Sequence, residues 1–258
     1  MSDLFDVSGK TALVTGGSRG IGLMIARGLV VAGAHVLVSS RKSADVQAAA
    51  KELAALGDCE AIAADVSTPD GARELAAATR ERFPTLDILI NNAGAGWGAP
   101  LEEFPPGGWD KVSHTNVEGV FHLTVALLGA LRAAASAADP ARVVNIGSID
   151  GLRTPSLENY SYSASKAAVH MLTRHLAKRL ASDHITVNAI APGPFESKMT
   201  AFMLDDPSSR EMVAQMVPLQ RIGQPDDVAG LTLFLCSRAG SYLTGTVIPL
   251  DGGITGCG

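Results

Sequence analysis

Aromatic side chains are scarce in this sequence, at 5% of 258 residues, and only three residues are cysteine. So few aromatics, beside 27 glycines and long alanine tracts, argue against an all-β sandwich and for close-packed helices alternating with strands. Cys59, Cys236 and Cys257 are odd in number and far apart, so they make neither a disulfide framework nor a zinc pattern and read as reduced thiols. His35, His114, His122, His170, His175 and His184 never form H-E-x-x-H and never cluster with cysteine, so no metal is expected. A basic excess is missing too: the formal net charge of −5 offers no face for nucleic acid. The start, Met1-Ser-Asp-Leu-Phe-Asp6, is acidic and has no secretory pattern of a basic and then an apolar run. Arg132 interrupts the longest apolar candidate, "VALLGALRAAASAA", so no membrane span is expected and the protein reads as soluble and cytoplasmic.

What the chain does have is a series of short apolar, β-branched runs. They are "KTALVTG" near 10–16, "HVLVSS" at 35–40, "EAIAAD" at 60–65, "LDILINNAG" at 86–94, "RVVNIGS" at 142–148, "ITVNAIAPG" at 185–193 and "TVIPLDGG" at 246–253. Helix-length, alanine-rich segments separate them. Continuous apolar strands alternating with helices predict a parallel sheet covered on both faces, hence one doubly wound α/β domain over 1–258. The one extended irregular region, 193–225, holds Pro194, Pro207, Pro218 and Pro225 and follows the sixth run. Its apolar residues Met199, Phe202, Met203, Leu204, Met212 and Met216 suit either a small packed helix or a substrate lid at the carboxyl end of the sheet.

After the first run comes Thr15-Gly-Gly-Ser-Arg-Gly-Ile-Gly22, followed by the helical "IGLMIARGLVVAGA". Glycines in a strand-to-helix turn let backbone amides approach a pyrophosphate at a helix amino terminus. Gly16, Ser18, Arg19, Gly20, Ile21 and Gly22 are therefore candidate cofactor residues. A cofactor with a free ribose 2′-hydroxyl calls for an acid about 20 residues further on. This chain has Ser39-Ser40-Arg41-Lys42 there, so Ser40 and Arg41, with Arg19 as a second clamp, point to NADP(H) rather than NAD(H).

The stretch "ENYSYSASK" holds two tyrosines before one lysine. On a helix, residues four apart share a face, so Tyr162 pairs with Lys166 and Tyr160 does not. Hydride delivery to a carbonyl builds charge on oxygen, which needs a proton donor and an orienting hydroxyl. Tyr162 and Ser148 fit those two needs. Ionising an ordinary tyrosine at pH 7 costs about 4 kcal/mol. One lysine charge at ~4 Å in a dielectric of ~20 offsets about the same amount, so Lys166 alone is expected to suffice.

T-G-x-x-x-G-x-G at 15–22, Asp65-Val66, Asn91-Asn-Ala-Gly94, Asn116, Ser148, Tyr162-x-x-x-Lys166 and Pro192-Gly193 resemble the short-chain dehydrogenase/reductase family over essentially the whole chain. The resemblance implies a Rossmann sheet of seven parallel strands in the order 3-2-1-4-5-6-7. It implies Asn116, Ser148, Tyr162 and Lys166 as the catalytic set, with Lys166 also on the nicotinamide ribose and Asn116 holding a water that links the lysine to solvent. It places Asp65 and Val66 at the adenine, Asn92, Ala93 and Gly94 beside the cofactor, and Pro192, Gly193, Phe195 and Ser197 near the nicotinamide. Ser197 stands where many relatives have threonine.

Within the family, "GDCEAIAADVS", "SASAADPARVVNIGS" and "APGPFESKMT" look like the NADPH-dependent 3-oxoacyl-thioester reductases of the rhamnolipid-biosynthesis branch. That likeness implies a small-molecule substrate carried on acyl carrier protein or coenzyme A. An apolar, methionine-bearing lid suits an acyl chain. Two other readings stay open: the same chemistry on a sugar, steroid or xenobiotic carbonyl, and a non-catalytic NADP(H) sensor. Trp97, Trp109 and Tyr160 either border the pocket or pack. Relatives commonly form homotetramers, or else homodimers, through the long helices near 108–135 and 160–181 and the C-terminal strand, and the same is expected here.

Overall fold

The computed structural model describes residues 4–198 and 200–257, without the side chains of Phe202 and Met203. Seven strands form one parallel sheet: β1 (Thr11–Thr15), β2 (His35–Ser40), β3 (Cys59–Ala63), β4 (Ile88–Asn91), β5 (Ala141–Ile146), β6 (Ile185–Pro192) and β7 (Val247–Leu250). Their spatial order is 3-2-1-4-5-6-7, the order expected. The helices are α1 (Gly20–Val31), α2 (Ser43–Ala54), α3 (Pro69–Arg82), α4 (Pro106–Ser113), α5 (Gly119–Ala134), α6 (Tyr160–Leu180), α7 (Ala201–Leu204), α8 (Pro207–Gln215) and α9 (Pro225–Cys236).

Alternation along each strand divides the interior into two cores. Ala12, Val14, Val36, Val38, Ile88 and Ile90 meet Ile25 and Leu29 of α1, Val46 and Leu53 of α2, and Val228 and Leu235 of α9. Leu13, Leu37, Leu89, Val143 and Val187 point the other way, onto Leu75 of α3, Leu123 and Leu127 of α5, and Leu180 of α6. Because both faces are covered, the central strands read as unbroken apolar runs. The edge strands β3 and β7 are less buried.

Helix starts are set by local chemistry. Thr68 accepts the Gly71 N–H at 3.1 Å ahead of Pro69, and Asp206 accepts that of Ser209 at 2.8 Å ahead of Pro207. Between α4 and α5 the helix widens into a π turn, His114–Glu118, so Pro106–Ala134 is helical throughout.

That 29-residue stretch is, by length and composition, apolar enough to cross a membrane, which corrects the expectation drawn from Arg132. Arg132 lies in its last turn, bonded to Asp183 at 2.8 Å, and does not break the apolar window. In this fold its Leu123, Leu127, Ala130 and Leu131 are buried in the second core.

The three cysteines are free thiols, Cys236 buried and Cys257 exposed. Burial pushes the Cys59 thiol up to about 11 and that of Cys236 to about 12. Among the described residues, no group of three or more His, Cys, Asp or Glu side chains is placed to hold a metal ion.

Candidate active site

The glycine loop is clamped to the end of β4. Thr15 Oγ1 accepts the N–H groups of Asn92 and Ala93, each at 3.0 Å, and donates to Ile90 O at 3.2 Å. Asn92 Nδ2 donates to the carbonyls of Thr15 at 2.9 Å and Gly16 at 3.2 Å. Gly16 has φ +65°, a left-handed conformation that favours glycine. At Gly22 a Cβ would lie 2.3 Å from both Asn92 Nδ2 and Gly16 O, so the loop closes onto α1 only without a side chain. Asn92, read from the resemblance as a cofactor neighbour, therefore also shapes the loop.

At the end of β2, Ser39 is buried, and the buried Ser40 hydroxyl has no hydrogen-bond partner among the described residues. Arg41 follows, exposed. Arg19 Nη1 stands 4.0 Å from Asp45 of α2, so both candidate clamps lie around the same strand end. Asp65 Oδ1 accepts the Ser67 N–H at 3.0 Å, and Val66 beside it is buried. A cavity of about 510 Å³ opens between Gly20, Met24, Ser197, Lys198, Asp205 and Pro225. It lies between the glycine loop and the 193–225 segment, away from Tyr162.

The catalytic candidates come together at the carboxyl ends of β4 and β5. Asn116 sits inside the π turn, an irregularity that recurs at functional sites. Its Oδ1 accepts the Ala95 N–H at 2.7 Å, and its Nδ2 donates to Ala95 O and Ser165 Oγ, each at 2.9 Å. Ser165 Oγ donates to Tyr162 O at 2.7 Å, which ties the π turn to the first turn of α6. Both Nδ2 hydrogens of Asn116 are thus spent on protein partners. A Cβ on Gly94 would lie 3.6 Å from Asn116 Oδ1 and 3.8 Å from Lys166 Nζ, so glycine leaves the lysine head uncrowded.

Lys166 is 5% exposed and donates to Ile146 O at 2.8 Å. Its Nζ is 5.5 Å from the Tyr162 ring centroid. Burial lowers the lysine to about 8. Burial raises Tyr162 to about 12; the Ser148 hydroxyl, hydrogen-bonded to it, opposes that rise, and the Asp150 carboxylate adds to it. The expectation that one lysine charge holds the tyrosine down is corrected here. Desolvation disfavours the charged form of both groups, and the ammonium donates to the Ile146 carbonyl. In this arrangement Tyr162 is a phenol, ready to donate a proton.

Tyr160 turns away from this set. Its hydroxyl donates to Glu158 Oε1 at 3.1 Å and its ring stands edge-on to Phe104, centroids 5.6 Å apart. Phe104 also contacts Trp109, and Lys111 lies over Trp97, so each tryptophan has a neighbour while remaining exposed.

In the 193–225 segment, Phe195 is buried and Gly193 abuts Asp251, whose Cβ would be 2.8 Å from a Cβ there. Ser197 Oγ lies 3.0 Å from Thr200 Oγ1 and accepts the Thr200 N–H at 3.3 Å, so its hydroxyl is engaged within its own turn. Of the apolar lid candidates, Leu204 is buried and Met212 and Met216 are exposed. Met199 and the side chains of Phe202 and Met203 lie outside the described residues. Sequence reasoning missed Thr15, Asp150, Asn159, Ser165, His170 and Thr200; Ser165, four residues before Val169 on the buried face of α6, had only its helical phase to mark it.

A doubly wound parallel sheet with a glycine loop after β1, and a tyrosine, serine and lysine converging at its carboxyl edge, defines the class of nucleotide-dependent α/β oxidoreductases. A family model described as enoyl-(acyl carrier protein) reductase matches residues 16–255. The rhamnolipids biosynthesis 3-oxoacyl-[acyl-carrier-protein] reductase of Pseudomonas aeruginosa is 50% identical over 253 residues, covering 98% of this chain and 99% of that protein. The gluconate 5-dehydrogenase of Gluconobacter oxydans is 37% identical, covering 98% of this chain and 97% of that protein. The solved Pseudomonas aeruginosa RhlG/NADP active-site complex superposes with a TM-score of 0.96 at 49% identity, over 99% of this chain and all of that one (100%). The chain belongs to the short-chain dehydrogenase/reductase family.

Proposed function

We propose that this protein reduces a 3-oxoacyl thioester to the 3-hydroxyacyl thioester with NADPH. The observation that carries the reaction type is the convergence of the Tyr162 and Ser148 hydroxyls beside Lys166. The substrate class rests on the 50% identity to a 3-oxoacyl reductase. NADPH, when bound, supplies the hydride. Tyr162 then protonates the carbonyl oxygen as charge builds on it, and the Ser148 hydroxyl donates to the same oxygen and orients it. Lys166 positions the tyrosine and holds the ribose. Residues 193–225 cover the acyl chain as a lid, within a single catalytic domain that acts in the cytoplasm.

The fit to the cofactor rests on the Cβ-free loop at Gly16 and Gly22, the unpartnered Ser40 hydroxyl, and Arg41 and Arg19 at the end of β2 in place of an acid. A lost charged contact to the 2′-phosphate is worth about 1.5–3 kcal/mol. Arg41→Ala is therefore expected to weaken NADPH binding about tenfold or more while leaving NADH binding unchanged, as read by fluorescence titration. Equal loss for both cofactors would show that Arg41 does not touch the phosphate.

The test of the reaction follows NADPH absorbance with a medium-chain 3-oxoacyl thioester, a trans-2-enoyl thioester and 5-ketogluconate. Turnover on the first alone supports the proposal. Preference for the second would follow the description of the family model, and preference for the third the 37% identical dehydrogenase. Tight NADPH binding with no turnover would mean a sensor. Phe121 and Val125 of α5 and Met171 of α6 are exposed. Burying them between copies supports the tetramer proposal, and light scattering is expected to give four times the chain mass, with a monomer overturning it.

A further inference from the structure

Ser148 opens the short helical turn Ile149–Gly151, which has to hold its hydroxyl in place. The Gly151 N–H donates to Ser148 O at 3.0 Å, and Ser148 Oγ accepts the Asp150 N–H at 3.1 Å. On the strand side, the Gly147 N–H donates to Ile190 O of β6 at 2.7 Å. On the helix side, Asn159, directly before α6, donates from Nδ2 to Asp150 Oδ2 at 2.9 Å. Two glycines bracket this stretch, and both face one ring of α6 that the motifs leave without a task.

That ring belongs to His170. A Cβ on Gly147 would lie 2.1 Å from its Nε2 and 2.7 Å from its Cδ2, and a Cβ on Gly151 2.8 Å from its Cε1. One edge of the imidazole therefore spans from the residue before Ser148 to the last residue of the turn, and only glycine leaves room for it at either end. A Cβ on Gly151 would also come within 2.7 Å of Ala167 N, so the turn rests directly on the α6 backbone. His170 lies four residues after Lys166, which puts lysine, ring and turn on the same buried face of the helix. The ring is 3% exposed and no side chain bonds either nitrogen, so it meets the turn through backbone contact.

We propose that His170 is a positioning residue of the active site, whose ring edge, wedged between Gly147 and Gly151, sets where Ser148 stands over α6. The proposal rests on the reading of Ser148 as the hydroxyl that orients the substrate carbonyl. His170→Ala empties the slot and is expected to lower the single-turnover rate at saturating NADPH about tenfold, within the hundredfold that a misplacement of about 1 Å can cost. NADPH affinity should be unchanged. In a Ser148→Ala background the same substitution is expected to cost little more, because no serine hydroxyl is left to be placed. Added imidazole, refilling the slot, is expected to restore part of the rate of the single variant.

A merely structural role would lower the rate by the same factor in both backgrounds, and that outcome overturns the proposal. Hydrogen exchange of the cofactor-free protein reads the turn without turnover. The Gly151 amide, bonded to Ser148 O, is expected to exchange about tenfold faster in His170→Ala while the amides of β5 keep their wild-type rates. Should alanine unfold the chain, His170→Leu, closer to the ring in volume, carries the same two comparisons with the same expected coupling to Ser148. No activity on thioesters together with faster exchange at Gly151 would strike the proposed substrate and leave His170 in its role. Thioester turnover with unchanged exchange and equal losses in both backgrounds would do the reverse.

Discussion

Tyr162→Phe is expected to lower kcat/KM for thioester reduction by roughly a thousandfold, within the 10²–10⁴ span that one positioned proton donor supplies. Phenylalanine keeps the ring over which Lys166 Nζ stands at 5.5 Å, so the loss should fall on chemistry. NADPH affinity and denaturation midpoint should stay within a factor of two and a degree or so of wild type, since a surface-to-core rearrangement is not required. Stopped-flow single-turnover rates at saturating NADPH check this directly. If the variant retained a tenth of wild-type activity, Ser148 or a water would have to be the donor.

The second large effect is on stability. His170 is 3% exposed, and neither ring nitrogen has a side-chain hydrogen-bond partner among the described residues. It fills a slot cut by two glycines: a Cβ on Gly147 would lie 2.1 Å from its Nε2, and one on Gly151 2.8 Å from its Cε1. Burial lowers its affinity for a proton from an ordinary 6.5 to about 4; the Gly151 backbone opposes this, and the flanking Lys166 and Arg174 charges add to it. The folded protein therefore leaves the imidazole neutral where the unfolded chain protonates it. Stability from this residue is full above pH 6.5, falls as pH drops through the window to about 4, and is level below that. The loss over the window is about 3 kcal/mol, a large share of a typical domain's margin. Urea midpoints at pH 7 and pH 4.5 should diverge for wild type and much less for His170→Leu. Parallel curves for the two proteins would place the acid sensitivity elsewhere.

What was legible in the sequence had short-range or fixed-interval signals. Strands β1, β2 and β6 stand out because both their faces are buried, so no polar alternation blurs them. The glycine loop and Tyr162-x-x-x-Lys166 are readable because spacing alone puts the groups on one face. The pairing of Tyr162 with Lys166 was visible, but its electrical outcome was not. That outcome depends on how far each group is desolvated, and the Coulomb estimate held the surroundings at a fixed dielectric. Asp150 escaped notice because its partners, Ser148 and Asn159, are joined by a turn with no periodic pattern. The use of the Asn116 amide was equally hidden, since Ala95 and Ser165 reach it from a loop and another helix. Arg132 alone did not keep the stretch from passing on length and composition, and it is the fold that shows its apolar face turned into the core.

The π turn at His114–Glu118 bears on which insertions and deletions the chain can survive. A π turn holds one more residue than a regular turn, so removing one residue from it would leave an unbroken α-helix with its two halves near their present phase, whereas removing one from α4 or α5 would rotate one half by about 100° relative to the other. Gly108 of α4 accepts a bond from Ser161 at 3.2 Å on one side of this point, and Leu123 and Leu127 of α5 lie in the core on the other. Both docking faces cannot be kept through such a rotation. A single codon gained or lost within α4 or α5 should therefore fail, because it puts one half of the helix out of phase with the other.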